Sequence, residues 1–318
     1  MAVYTPLTRQ DIESFLAHYD IGALTEFEGI AEGIENTNYV VCAGDGKYIL
    51  TLFEKRVRIE DLPYFVALME WWNARGIRCP QPVHMRNGRA LAALKEKPAL
   101  VVSFLEGGGV ERIELAHVAQ LGKLAADMHV AGMEFPHVRQ NALSLAGWEA
   151  IIDRIIDQVE EIEPGLRRLI NEEYNDLSEH WPQGLPGGPI HADLFPDNVF
   201  FSKSFGKAPV LSGVIDFYFS CNDAWAYDLA ICVNAWCFDA RHRFVPERAQ
   251  ALMQAYTDQR PLTPEEEAAF PLLLRGAALR FLLTRAHDWL HHDPQALVTP
   301  KDPLEYAAKL RFFQKNGV

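Results

Sequence analysis

The chain has 318 residues, 49% of them hydrophobic and 23% charged, so it can bury a core and lacks a disordered composition. That length suits one large or two modest domains. Acidic residues outnumber basic ones 43 to 30, giving a net charge of −13, and the missing basic footprint argues against a nucleic-acid partner.

The cysteines, Cys42, Cys79, Cys221, Cys232 and Cys237, are odd in number and form no C-x-x-C pair. Buried free thiols of a reducing compartment are the expectation. The first residues lack the basic start and apolar run of a signal peptide, and no stretch of about 18 apolar residues occurs. A cytoplasmic protein with no membrane partner is expected.

Taken in order, the chain begins with a helix start at Leu7 to Ile12. Thr8 and Asp11 form a capping box, and Leu7 can staple onto Ile12. Strands are predicted over Leu24–Ile30, Thr37–Ala43 and Lys47–Phe53, the last two joined by the turn Gly44-Asp45-Gly46. A helix is predicted from Ile59 to Arg75, ended by Gly76 and kept from resuming by Pro80 and Pro82. Strands follow at Pro82–Met85, Ala90–Leu94 and Ala99–Leu105. Glu106-Gly107-Gly108-Gly109 lacks a following Lys-Ser or Lys-Thr, so it is a connection and not a Walker A loop.

Beyond it the pattern is helical: Ile113–His129, Trp148–Ile162, Pro164–Trp181 and Trp225–Phe238. A long helix follows, opened by the capping box at Thr263 and running to about His291, and Tyr306–Phe313 closes the chain. His287 and His291 have zinc-ligand spacing, but Asp288 stands where the metalloprotease motif needs Glu and a third ligand is not evident. An antiparallel sheet carrying one helix, followed by a mainly helical region, gives an α+β chain. Its expected division is 1–106 and 107–318.

Residues 190–217 carry the most chemistry. His191, Asp193 and Asn198 precede one β-like run, Asn198–Phe201, and Asp216 ends a second, Val210–Ile215. The H-x-D-x-x-x-x-N spacing followed by an Asp after a β-run is the kinase arrangement. One carboxylate accepts the proton of an attacking hydroxyl, while an amide oxygen and a second carboxylate hold magnesium on the nucleotide phosphates. Pro196-Asp197-Asn198 is also good turn chemistry, so an ordinary hairpin is the plainer reading. Phosphates would lie in the turn holding Gly29 and Gly33, and an adenine edge against the backbone of Ser103 to Leu105.

His191 to Asn198, Gly213 to Phe217 and Tyr227-Asp228-Leu229-Ala230 together resemble the aminoglycoside and choline phosphotransferase superfamily, small-molecule kinases of the two-lobed protein-kinase-like fold. The resemblance spans nearly the whole chain. Glu32 to Tyr39, Tyr48 to Glu54, Leu279 to Arg285 and Lys301-Asp302-Pro303 are similar to the bacterial homoserine kinases of that fold. The resemblance implies a nucleotide-binding lobe over 1–106 and a catalytic and substrate-binding lobe over 107–318. It implies Asp193 as base, His191 as brace of its loop, Asn198 and Asp216 as magnesium ligands, and Asp228 as acceptor of catalytic-loop backbone N–H groups. ATP contacts would fall on Gly33, Asn36, Thr37, Thr51, Ser103 and Leu105.

The implied acceptor is L-homoserine. Its carboxylate would meet Arg280 or Arg285, although a structural ion pair is an equal reading of either. Thr51 departs from the superfamily, which usually carries Lys or Arg there. Lys55, Arg56 or another base could substitute, or the turn amides and magnesium could suffice, and Glu60 and Glu70 are the candidate helix partners. The homoserine kinases of this type share the Thr, so it does not signify lost activity. Choline, an aminoglycoside, a fructosamine or methylthioribose as acceptor, or a catalytically inactive nucleotide-binding protein, are the other readings. The sequence leaves the oligomeric state open.

Overall fold

The computed structural model describes residues 5–30, 36–54, 57–202, 208–292 and 300–316. The chain falls into two compact units, Met1–Gly107 with Ser212–Tyr218, and Gly108–Leu211 with Phe219–Val318.

Unit 1 opens with α1 (Arg9–Leu16), where the Thr8 hydroxyl accepts from Asp11 N at 3.2 Å and Asp11 accepts from Thr8 N at 2.9 Å. Five strands then form an antiparallel sheet: β1 (Leu24–Gly29), β2 (Asn36–Ala43), β3 (Gly46–Phe53), β4 (Leu91–Leu94) and β5 (Lys97–Ser103), in the order β1-β2-β3-β5-β4. Strand period sorts its residues. Tyr39, Val41, Ala43, Leu50, Leu52, Ala99 and Val101 bury one face with Ile12, Phe15 and Leu16 of α1. Asn36, Asn38, Val40, Ile49, Thr51 and Phe53 occupy the other. In the register Asn38 stands opposite Thr51, and Thr51 opposite Leu100.

Between β3 and β4 lies α2 (Leu62–Ala74), which has Pro63 in its first turn, where a missing N–H costs nothing. The strand expected at Pro82–Met85 is not formed. Isolated bridges, Pro82 to Val102 and Met85 to Tyr19, take its place. Pro82 cannot donate to a ladder, which limits pairing on this edge.

Unit 2 is helical, with α3 (Leu115–Gly132), α4 (Leu145–Ile155), α5 (Leu166–His180), α6 (Trp225–Trp236), α7 (Pro246–Thr257), α8 (Pro264–Leu290) and α9 (Leu304–Asn316). Nearly every residue of α6 is buried, and α8 packs against α4, α5, α6 and α9. Gly122 lets α3 approach α7, because an added Cβ would lie 2.3 Å from the Leu252 carbonyl oxygen. The expected helix over Trp148–Ile162 instead ends at Ile155 and is followed by a short 3₁₀ turn, Val159–Glu161. Helix α7 buries only Leu252 and Tyr256, so its apolar period is weak and the sequence reading passed over it. Gly187–Ile190, composed like a turn, forms strand β6 and pairs with β9 (Cys221–Ala224).

Strand β7 (Val199–Phe201) leads into a hairpin in which Ser202 N donates to the Val210 carbonyl at 2.8 Å. Strand β8 (Leu211–Val214) carries the chain into unit 1 at Ser212, and it returns to unit 2 at Phe219. All five cysteines are free; Cys42 is half-buried and the other four are buried. Among the described residues no helix is long and apolar enough to cross a membrane.

Candidate active site

The loop between β6 and β7 is the better braced of two polar clusters. His191 is fully buried, and Ala192 adopts the left-handed conformation with φ 64°. That geometry is unfavourable for a residue with a Cβ and persists only where neighbours impose it. Asp228, in the first turn of α6, imposes it from one side. Its carboxylate accepts from His191 N at 3.1 Å and Ala192 N at 2.8 Å. Arg280 of α8 acts from the other, donating to the Ala192 carbonyl at 2.7 Å.

Behind Asp228 runs a buried polar chain. His129 bonds Asp228 at 3.1 Å and Tyr256 at 2.8 Å, and Arg260 donates to Tyr256 at 3.1 Å and to Glu266 at 2.9 Å. Burial alone would raise the Asp228 carboxyl, but the His129 hydrogen bond, the His129 and His191 charges and the Ala192 N–H outweigh it. The carboxyl sits below its ordinary range. This pairing answers the cost of burying an Asp in an apolar helix.

Within the loop, Asp193 N donates to His191 Nδ1 at 3.3 Å. Asn198 Nδ2 donates to the Asp193 carbonyl at 2.9 Å and to Asp193 Oδ2 at 2.8 Å. With its NH₂ so engaged, the Asn198 amide oxygen is oriented away from Asp193. A neutral oxygen beside a carboxylate is a donor set that suits a hard divalent cation. Trp236 Nε1 further pins the loop through the Leu194 carbonyl at 2.7 Å. His191, Asp193, Asn198 and Asp228 are thus brought together as expected of them.

The two arginines named for a substrate carboxylate have partners within the protein. Arg280 is 1% exposed and donates through Nη1 to the Ala192 carbonyl, while its buried Nε has no partner among the described residues. Arg285 pairs with Glu305 at 2.6 Å and donates to the Asp302 carbonyl at 3.1 Å. The geometry favours the structural ion-pair reading of Arg285 and makes Arg280 a clamp on the loop.

Unit 1 holds the second cluster. Gly213, with φ 153°, lets β8 pass Arg78, whose carbonyl oxygen would lie 2.4 Å from an added Cβ. Asp216 follows with φ 65°. Phe217 packs on Trp72 of α2 with ring centroids 5.6 Å apart. Tyr218 meets Phe53 edge-on at 5.1 Å and Phe65 of α2 at 5.7 Å. It lies beside Thr51, whose hydroxyl donates to Asn38 Oδ1 at 2.7 Å. Burial and then the Asp216 charge push the Tyr218 phenol well up, against the Thr51 hydrogen bond, so it stays protonated.

The expected nucleotide residues divide between the two sheet faces. Asn36 and Thr51 share the face of Asn38, and Asn36 Oδ1 accepts from Glu54 N at 3.3 Å. The Thr37 side chain lies on the α1 face instead. Its hydroxyl donates to Glu54 at 2.7 Å and accepts from Thr5 N at 3.1 Å, while Lys97 also pairs with Glu54. Ser103 exchanges bonds with Gln81, its N donating to the Gln81 carbonyl and its Oγ accepting from Gln81 N, both at 2.9 Å. Phe104 N donates to the Lys47 carbonyl at 3.1 Å, and Leu105 is half-buried. Gly33, Lys55 and Arg56 lie outside the described residues. Glu60 pairs with Arg58 and Glu70 with His84, each at 2.5 Å, so neither serves Thr51.

The sequence reading did not single out Asn38 and Tyr218, which lie beside Thr51. Alternation along β2 would have separated Asn36 and Asn38 from Thr37. Nor did it single out His129 and Arg260, which lie far from the motif in sequence.

A sequence profile of the phosphotransferase enzyme family matches residues 26–262. The homoserine kinase of Paramagnetospirillum magneticum is 52% identical over 316 residues, 99% of this chain and 97% of that protein. That of Parvibaculum lavamentivorans is 52% identical over 312 residues, 98% and 96% of the two chains. Among solved structures, an amicoumacin kinase with AMP-PNP and Ca²⁺ superposes with a TM-score of 0.69 at 16% identity, covering 97% of this chain and 92% of that one. A spectinomycin phosphotransferase with ADP and spectinomycin gives 0.67 at 13% identity, covering 98% and 95%.

Proposed function

The chain belongs to the phosphotransferase enzyme family, and from that premise we propose that it phosphorylates the side-chain hydroxyl of L-homoserine with ATP, in the cytoplasm, on the route to threonine. The observation that singles out homoserine is the 52% identity to homoserine kinases over nearly the full length of both chains. The fold alone serves many acceptors.

Asp193 is the base, taking the proton of the attacking hydroxyl. Asn198, its NH₂ occupied by Asp193, and Asp216 would hold magnesium. The metal, when bound, neutralises charge on the nucleotide phosphates. His191 braces the loop through Asp193 N, and Asp228 and Arg280 fix the Ala192 peptide. Residues 1–106 would form the nucleotide-binding lobe, contributing Asn36 and Thr51 and the backbone near Ser103 and Leu105. Residues 107–318 would form the catalytic and substrate-binding lobe.

An assay of ADP release over homoserine, choline, an aminoglycoside, a fructosamine and methylthioribose tests the reading. Homoserine is expected to give the highest kcat/KM. Turnover of choline without turnover of homoserine overturns it.

A further inference from the structure

Kinases set a Lys on the third strand against the nucleotide phosphates and pair it with a Glu of the following helix. Here the position is Thr51, 4% exposed, and the helix presents Phe65 toward the same neighbourhood. Tyr218 packs edge-on against both Phe53 and Phe65, beside Thr51.

Hydrogen-bond donors settle the direction of this chain. Asn38 Oδ1 can only accept, so the single Thr51 proton is spent on it at 2.7 Å. The Thr51 oxygen keeps its acceptor capacity, which the protonated phenol of Tyr218 beside it can meet. The bond to Thr51 turns the Asn38 oxygen toward Thr51 and leaves its NH₂ for another acceptor. Asn38 is half-buried, on the face of β2 that does not pack on α1, directly across from Thr51.

We propose that Asn38 donates to the nucleotide phosphates, with Thr51 and Tyr218 as positioning residues, and that this neutral chain replaces the Lys and Glu pair of other kinases. The inference rests on the reading of the protein as an ATP-dependent kinase. A fixed amide aimed at an anion makes a charge-assisted bond without the desolvation that a buried ammonium would require.

Calorimetric titration of the full chain with magnesium AMP-PNP and, separately, with adenosine tests it. Asn38→Ala is expected to weaken AMP-PNP roughly ten-fold and leave adenosine within about two-fold, the scale of one hydrogen bond to a charged group. Asn38→Asp should weaken it further by placing like charge at the phosphates. Tyr218→Phe keeps both edge-on ring contacts and loses only the hydroxyl; a three- to ten-fold loss for AMP-PNP alone is expected. Equal losses for AMP-PNP and adenosine would mean a merely structural role and overturn the proposal, as would no loss for either. If the unaltered chain binds no AMP-PNP, the kinase reading itself fails; normal binding by all variants sinks only the phosphate contact.

Discussion

Ala192 and Asp216 hold nearly the same backbone conformation, φ 64° and 65°, in two different units, and each sits beside a residue proposed for catalysis or proposed itself. The two units hold it by different means. In unit 2 the Ala192 peptide is gripped by charges, with Asp228 on its N–H and Arg280 on its carbonyl. In unit 1 the residues after Asp216 are anchored by rings, Phe217 on Trp72 and Tyr218 between Phe53 and Phe65, with neutral hydroxyls completing the contact. A charged clamp is strong but titrates and needs full burial and full pairing. An aromatic anchor is insensitive to acid and tolerates loss of a single hydroxyl. Alanine gains little in the left-handed region, whereas aspartate enters it more readily, which fits the stronger clamp on Ala192.

The largest expected effect breaks the chemistry while leaving both anchors intact. Asp193→Ala should lower kcat by about 10²–10⁴-fold with an unchanged melting curve. Near-normal turnover by a folded variant would remove Asp193 as base.

Breaking the charged clamp comes next. Asp228→Asn leaves His129 and one catalytic-loop N–H badly paired in a fully buried site, at about 3–5 kcal/mol of stability by denaturant unfolding. The sign of its pH dependence follows from the lowered Asp228 carboxyl. The stability it contributes is present above its unfolded pKa of about 4 and lost as pH falls through the lower folded value. The gap between wild type and Asp228→Asn should therefore be flat near neutrality and close below about pH 4. A gap that widens in acid would contradict a depressed Asp228.

A smaller change separates clamp from substrate contact. Arg280→Met leaves the Ala192 carbonyl without its donor and should cost roughly 10- to 100-fold in kcat, with the homoserine KM within about two-fold. If KM rises while kcat holds, Arg280 binds the homoserine carboxylate and the clamp is secondary.

Much of this was legible because local rules and tertiary structure agreed. The Thr8 and Thr263 capping boxes form as read, and the loop between β6 and β7 brings His191, Asp193 and Asn198 together with Asp228 bonded to its backbone. What could not be read was whatever depends on distant partners. Nothing near His129 or Arg260 in sequence announces a chain ending at Asp228, and the pairing of β6 with β9 joins a Gly-Gly-Pro segment to one 34 residues later. The two readings open for Arg280, a substrate carboxylate or a structural pairing, could not be separated in the sequence because a guanidinium's target is not written beside it; the structure gives it the Ala192 carbonyl.

Thr37 is the opposite case, since the face of the sheet on which it lies was readable in the sequence. It sits between Asn36 and Asn38, and a strand turns successive side chains to opposite faces, so no nucleotide on the Asn38 face can reach its hydroxyl. The structure gives that hydroxyl to Glu54 and Thr5 behind the sheet. Thr37→Val keeps the β-branched shape and deletes two hydrogen bonds; Glu54 still has Thr5 and Lys97, and the half-buried Thr5 N–H loses its Thr37 acceptor. The loss should be about 1 kcal/mol of stability, the smallest effect predicted. AMP-PNP affinity should stay at the wild-type value while Asn38→Ala, one residue away, loses it. Equal losses at positions 37 and 38 would show that the strand as a whole, and not one face of it, senses the phosphates.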